Sequence, residues 1–348
     1  MNPWLGVILH ALGGFAAGSF YIPFKKVRGW AWESYWLVSG VFAWLAVPWA
    51  VALLTVPGVG EALRTAPRSS LLWCYVFGLM WGVGGLTFGL TMRYLGMSLG
   101  YALALGNTAA FGTVIPPLYF GQFAGLLQTT SGLVTLGGVL LSLAGIAVAG
   151  AAGMAKEKHL TEAEKKETVK EFDFRKGFVI SIVSGIMSAC FAFGIAAGKP
   201  IAARALAAGT PALWQNGPVF IVILAGGFTT NLIWCLVLFG RNKSARNYVD
   251  RKTPLLGNFL FAALAGATWY LQFMFYGMGT TKMGRYDFSS WSIHMAFIIV
   301  FSNLWGLLFR EWKGSNRRIY ALITAALLVL VLSTVIIGGG NFLASKGR

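Results

Sequence analysis

The sequence predicts an all-α polytopic membrane protein, with ten transmembrane helices arranged as two inverted five-helix repeats. Three observations carry this expectation. Of 348 residues, 57% are hydrophobic and 11% charged, with a mean hydropathy of +0.68, and a soluble domain of this length needs far more charge to cover its surface. Apolar runs of about 20 residues, the length that crosses a hydrocarbon core about 30 Å thick, recur along the whole chain. The two halves of the chain also carry matching residues in register. The short alternating segments of an outer-membrane barrel do not occur.

The elements follow in order. The first run, 4–24, lacks a basic leader and a small-residue cleavage site, so it reads as a retained helix. Lys25, Lys26 and Arg28 hold its end, and Trp30, Trp32, Tyr35 and Trp36 suit the headgroup level. The second run is 35–55, followed by Arg64 and Arg68. Arg93 alone separates 71–92 from 97–119, and no basic residue separates that run from 132–152. Next comes the longest polar stretch, 156–176, with six carboxylates and seven basic residues; Thr161 and Glu164 have capping-box spacing for a short surface helix near 162–171. The second half has runs at 177–198, 213–239, 255–279, 288–308 and 319–341, and Gln215 and Asn216 read as solvated caps of the second of these. The domains are therefore a first half, 1–152, a charged linker, 153–176, and a second half, 177–348. Loops on one side carry 20 of the 28 Lys and Arg residues and those on the other side carry 8. The positive-inside rule puts the linker in the cytoplasm and both termini outside.

The repeat is legible residue by residue. At a shift of 188, Gly78, Trp81, Gly89 and Gly96 meet Gly266, Trp269, Gly277 and Gly284, and at a shift of 171 Gly14 and Phe20 meet Gly185 and Phe191. An odd number of helices per half gives the copies opposite topology, which is the architecture of alternating access.

Several function classes are excluded. The net charge of +17 punctuates apolar runs and accompanies no nucleic-acid-binding module. Cys74, Cys190 and Cys235 lie in apolar runs at unrelated spacings and read as buried free thiols. Histidines at 10, 159 and 294 form no metal motif, and neither a nucleophile elbow nor a phosphate-cradling loop appears. No enzyme activity, cofactor or metal is expected, and no loop is long enough for a sensor domain.

Certain blocks resemble a known family. FYIPFKKVRGWAWESYW (20–36), GLTMRYLGMSLG (89–100), WYLQFMFYGMGTTKMGRYDFSSWSIHMAF (269–297) and REW (310–312) are similar to the L-rhamnose–proton symporter family of the drug/metabolite transporter superfamily. The resemblance runs from the first helix to about residue 312 and leaves the linker and last helix generic. It implies uptake of a 6-deoxyhexose with protons across a bacterial inner membrane. An exporter, or a carrier of another sugar on the same fold, is the alternative.

The residues themselves offer compatible chemistry. Trp269, Gln272 and Tyr276, with Phe273 between them, share one helical stripe, and a glutamine amide suits a polyol. Aromatic stripes also serve packing or an interface belt. Asn107 is a further substrate-binding candidate or an interhelical bond. Asp287, Trp291 and His294 follow at steps of four and three as a polar track, in which His294 and Trp291 are substrate candidates. Asp287 is the first candidate proton carrier, although a carboxylate at a helix start also suits the macrodipole, and Lys282 and Arg285 nearby oppose protonation. Glu33 is the second. His10 is the rough counterpart of His294, with no partner evident in the sequence. The expected partners are a small sugar, the proton and the lipid bilayer.

Overall fold

The computed structural model describes residues 2–119, 121–158, 173–310 and 312–347, and every regular element among them is helical. The capping box Thr161–Glu164, its short helix and Glu311 lie outside the described residues.

The chain runs α1 Pro3–Ser19, α2 Tyr21–Phe24, α3 Trp32–Val41, α4 Val47–Thr55, α5 Val59–Arg64, α6 Arg68–Tyr119, α7 Phe123–Leu127, α8 Thr130–Lys158, α9 Phe174–Ala197, α10 Lys199–Ala207, α11 Gly217–Asn242, α12 Leu255–Met283, α13 Ser290–Leu308 and α14 Arg317–Ser345. Among the described residues, eight segments are long and apolar enough to cross a bilayer.

Two of the long helical stretches are not single rods. The 52 residues of α6 would extend about 78 Å if straight. A methyl placed on Gly100, however, would lie 3.2 Å from the Cα of Met92, whereas residues eight apart in a straight helix are separated by about 12 Å. The chain therefore doubles back between Met92 and Gly100. The apolar stretch Leu255–Leu308 is broken at an elbow, Gly284–Ser289, where Gly284 takes φ +73° and Tyr286 leaves helical geometry. Only glycine enters that positive-φ region without strain.

Between α3 and α4 lies a π turn, Phe42–Ala46, in which the Val47 N–H reaches the Phe42 carbonyl. Pro48 supplies a local cause: it has no N–H to give the Trp44 carbonyl.

The chain divides into two compact units, Met1–Phe15 with Gly84–Ala192 and Gly279–Arg348, and Ala16–Val83 with Phe193–Met278. In the first unit, α8 and α14 pack antiparallel. Glycines on both sides set the approach: Gly138 faces Ile337, Gly145 faces Leu330 and Gly340 faces Thr135, and Ala152 packs with Ile319 and Ile323. The α6 segment after Val83 runs antiparallel to α9, with the Ser184 hydroxyl donating to the Gly84 carbonyl at 3.0 Å and the Asp173 N–H to the Tyr94 carbonyl at 3.2 Å.

In the second unit, α11 runs antiparallel to α3 and α4. Asn242 meets Glu33, Asn231 meets Trp36, and Gly217 lies against Ala52 and Val56. Asn216 differs from the solvated cap expected of it. It is buried and donates from Nδ2 to the Gly277 carbonyl at 3.0 Å, because Gly277 has no side chain to hold it away.

Candidate functional site

The second unit holds Trp269, Gln272, Tyr276 and Glu33. The turns of α12 bring the first three onto one stripe. Gln272 and Tyr276 are buried at 4% exposure each. Trp269 packs against Phe20 at a ring-centroid distance of 4.0 Å and edge-on to Phe273 at 6.0 Å. Phe273 in turn meets Trp81 at 5.4 Å, and Trp81 meets Trp44 at 6.0 Å. Aromatic faces of this kind suit the C–H surface of a sugar, and the Gln272 amide offers two donors and an acceptor to hydroxyls. The Trp269 Nε1–H is sealed from solvent and has no acceptor among the described residues. A buried donor left unmade costs about 1–3 kcal/mol, so this N–H is a vacant hydrogen-bonding position.

Trp44 was not expected at the site. It lies inside the π turn at 4% exposure, and its Nε1–H likewise has no acceptor among the described residues. Pro48, four residues on, is the sequence signal for the irregular turn, but the signal does not reveal which way the indole points.

Glu33 sits in the first turn of α3, where a carboxylate complements the helix dipole. At 3% exposure, it accepts hydrogen bonds from Asn242 Nδ2 at 3.0 Å and from the Ser244 hydroxyl. Around it, Asn247 Oδ1 accepts from the Ala31 N–H and the Ser34 hydroxyl, and the Tyr248 hydroxyl donates to the Ser34 carbonyl. Burial, with Cys235 and Glu33 nearby, pushes the Tyr248 phenol up. Asn258 closes the same region by bonding both the N–H and the carbonyl of Arg28. Glu33 thus ties the polar ends of α3 and α11 together.

The first unit holds Asn107, Asp287, Trp291 and His294. Asn107 donates to the Ser181 hydroxyl at 3.3 Å where Gly185 lets α9 approach α6. Trp291 donates from Nε1 to the Thr108 carbonyl at 2.9 Å and stacks on Phe191 at 6.0 Å, in space left by Gly112. Both side chains therefore bridge helices. Asp287 is partly exposed on the elbow. Tyr286 anchors that elbow through its hydroxyl to Thr129 and Ser131, both at 3.0 Å, and the Ser289 hydroxyl accepts from Asn341 at 3.0 Å. Sequence reading missed these anchors, although the run Thr129-Thr130-Ser131 marks a polar helix start.

His294, at 2% exposure, meets His10, at 0%, with ring centroids 6.1 Å apart. The partner that the sequence left unidentified for His10 is thus His294. Gly279 makes the meeting possible, since a methyl there would lie 2.8 Å from two atoms of the His10 ring.

Among the described residues, no cluster of three His, Cys, Asp or Glu could hold a metal ion. The three cysteines are free and buried.

Comparison with known proteins identifies the family. The family model of the L-rhamnose-proton symport protein (RhaT) matches residues 2–343. L-rhamnose-proton symporters of Cronobacter sakazakii and Yersinia pestis are each 39% identical over 341 residues, covering 97% of this chain and 97% of theirs. Both relatives are named as symporters, which are transporters and not enzymes. With the match spanning every membrane helix and the site residues on both units, this chain belongs to the L-rhamnose-proton symport protein family.

Proposed function

We propose that this chain is a secondary active transporter that imports L-rhamnose with protons by alternating access across a bacterial inner membrane. The proposed membrane topology is ten spans as two inverted halves, 1–152 and 177–348, joined by a cytoplasmic linker at 153–176, with both termini periplasmic. The reversal at 92–100 and the elbow at 284–289 support a count of ten.

One observation carries the inverted reading. Gly14 and Gly185 correspond in the sequence repeat, and each abuts the fourth span of the opposite half in the same way. A methyl on Gly14 would crowd the Cβ of Phe297, with its carbonyl carbon at 2.8 Å and the next nitrogen at 3.0 Å; a methyl on Gly185 would crowd the Cβ of Asn107, with its carbonyl carbon at 2.9 Å and the next nitrogen at 3.0 Å. The proposed symmetry mates, the second and seventh spans and the fifth and tenth, also pack antiparallel, as opposite topologies require.

Within this reading, Gln272, Trp269 and Tyr276 contact the sugar and His294 lies along the path. Trp291 and Asn107 shape the wall by holding helices in place. Asp287 takes the proton at the elbow, and Glu33 is the second carboxylate candidate. The driving force suffices: one proton moving down 100 mV supplies about 2.3 kcal/mol, or about fiftyfold accumulation.

The test is uptake of labelled L-rhamnose by vesicles containing the purified protein. Accumulation above the outside concentration is expected only with an inward proton gradient. Accumulation that persists after a protonophore, or selective uptake of a different sugar, would overturn the reading.

A further inference from the structure

We propose that His10 and His294 together form the site that holds the coupled proton inside the membrane; this rests on the transport reading above and deepens it. Two of the three histidines in the chain, 284 positions apart, are brought into contact where both are buried. Gly279 leaves only enough room for the His10 imidazole. Imidazole is the side chain whose ordinary titration lies between pH 5 and 8. Two of them at this separation titrate as one system, because a second positive charge is opposed by the first. The pair therefore takes up one proton and releases one proton, and returns neutral.

Among the described residues, few charged groups come near the pair. His10 is the only titratable side chain of α1, and His294 the only one of α13. From α12 comes Lys282, packed with its Cβ near Gly6, one turn from His10. The elbow, which precedes α13, carries Arg285 and Asp287, with Asp287 seven residues before His294. The apolar cluster of Val7, Val139, Ile293, Phe297 and Ile337 brings no charge from α8 or α14. Asp287 at the elbow and the histidine pair at depth give the proton two successive stations.

Reconstituted His10→Gln and His294→Gln are expected to lose gradient-driven accumulation, from about fiftyfold to about onefold. Rhamnose counterflow, which needs no net proton movement, is expected to persist at a measurable rate in His10→Gln, so that the loss is one of proton coupling and not of sugar exchange. Full accumulation in both variants would overturn the proposal. Should either variant fail to fold, nitrogen NMR of the unaltered chain labelled at histidine decides. L-rhamnose near pH 6.5 is expected to convert a buried neutral imidazole to imidazolium, and a pair that stays neutral overturns it. Absence of counterflow in the unaltered chain would instead defeat the transport reading itself.

A separate observation carries a second inference. We infer that Trp44 donates its indole N–H to a hydroxyl of the bound sugar. It is a nine-tenths-buried donor with no acceptor among the described residues. It sits in a π turn, a distortion frequent at functional positions. Its ring joins Trp81 and Phe273 in the chain of contacts that ends at Trp269, whose N–H is equally vacant. Trp44→Phe keeps a ring and removes the N–H. Rhamnose affinity in counterflow is expected to fall roughly five- to tenfold. One monodeoxy analogue of L-rhamnose, the one missing the accepting hydroxyl, is expected to bind both proteins equally. Unchanged rhamnose affinity, or an equal loss for every analogue, would overturn the assignment.

Discussion

Gly14→Ala and Gly185→Ala are expected to damage the protein to the same extent, because the two residues make closely similar contacts. In each case the added methyl meets a Cβ and a main-chain carbonyl carbon at 2.8 or 2.9 Å. A main chain cannot rotate aside, so the helices must separate by several tenths of an ångström. Overpacking of this kind costs about 1–3 kcal/mol, while replacing a mid-helix glycine returns about 0.5–1 kcal/mol. The net loss is about 0–2.5 kcal/mol for each variant, toward the upper end because the obstructing atoms are main chain. Gly137 on α8 is the control: nothing lies within 4 Å of its methyl position, so Gly137→Ala should hold or gain stability. Cys74, Cys190 and Cys235 are buried and free, so a dye that fluoresces on reacting with thiols reports unfolding on heating. Both contact variants should melt below the unaltered chain by similar margins and the control should not. A harmless Gly14→Ala beside a crippling Gly185→Ala would refute the equivalence, and a lower melt for Gly137→Ala would refute the packing explanation.

Glu33→Ala should lower stability by about 1–3 kcal/mol, because it leaves the Asn242 and Ser244 donors buried without their acceptor; adding Ser244→Ala should restore part of it, and a Glu33→Ala melt equal to the unaltered chain would contradict the account. Gln272→Ala should weaken rhamnose counterflow roughly fivefold with the melt unchanged, as expected for one lost hydrogen bond to substrate, and unaltered affinity would remove it from the site. Asp173 caps α9, accepting from the Lys176 N–H at 3.0 Å, and this bond together with the Lys176 ammonium holds its carboxyl below the usual range. A depressed carboxylate contributes stability above its unfolded titration point and loses it as pH falls through the folded one. The melting difference between Asp173→Ala and the unaltered chain should therefore be present at pH 7 and vanish in acid; a difference independent of pH would contradict it.

Much of the fold is legible because bilayer thickness imposes a length on apolar runs. The expected 132–152 and 319–341 correspond to Thr130–Lys158 and Arg317–Ser345, longer because helices continue past the hydrocarbon. The short helices Val59–Arg64 and Lys199–Ala207 escaped notice, since a hydropathy window sees only spanning lengths. Gly14 and Gly185 were readable as a pair because close helix approach tolerates only glycine. The candidate site is less legible. Spacing along one helix puts Trp269, Gln272 and Tyr276 on one stripe, but no spacing joins His10 to His294 across 284 positions. Trp44 is invisible for a related reason: an unfilled hydrogen bond is a property of three-dimensional surroundings. Glu33 read as an unexplained charge among tryptophans, and its explanation lies in Asn242 and Ser244, some 210 residues away.

The most direct test of the central claim is the proton movement itself. L-rhamnose added to weakly buffered vesicles containing the purified chain should make the external medium more alkaline as protons enter with the sugar, and a protonophore should erase the change. Sugar entry with no accompanying pH shift would contradict the account.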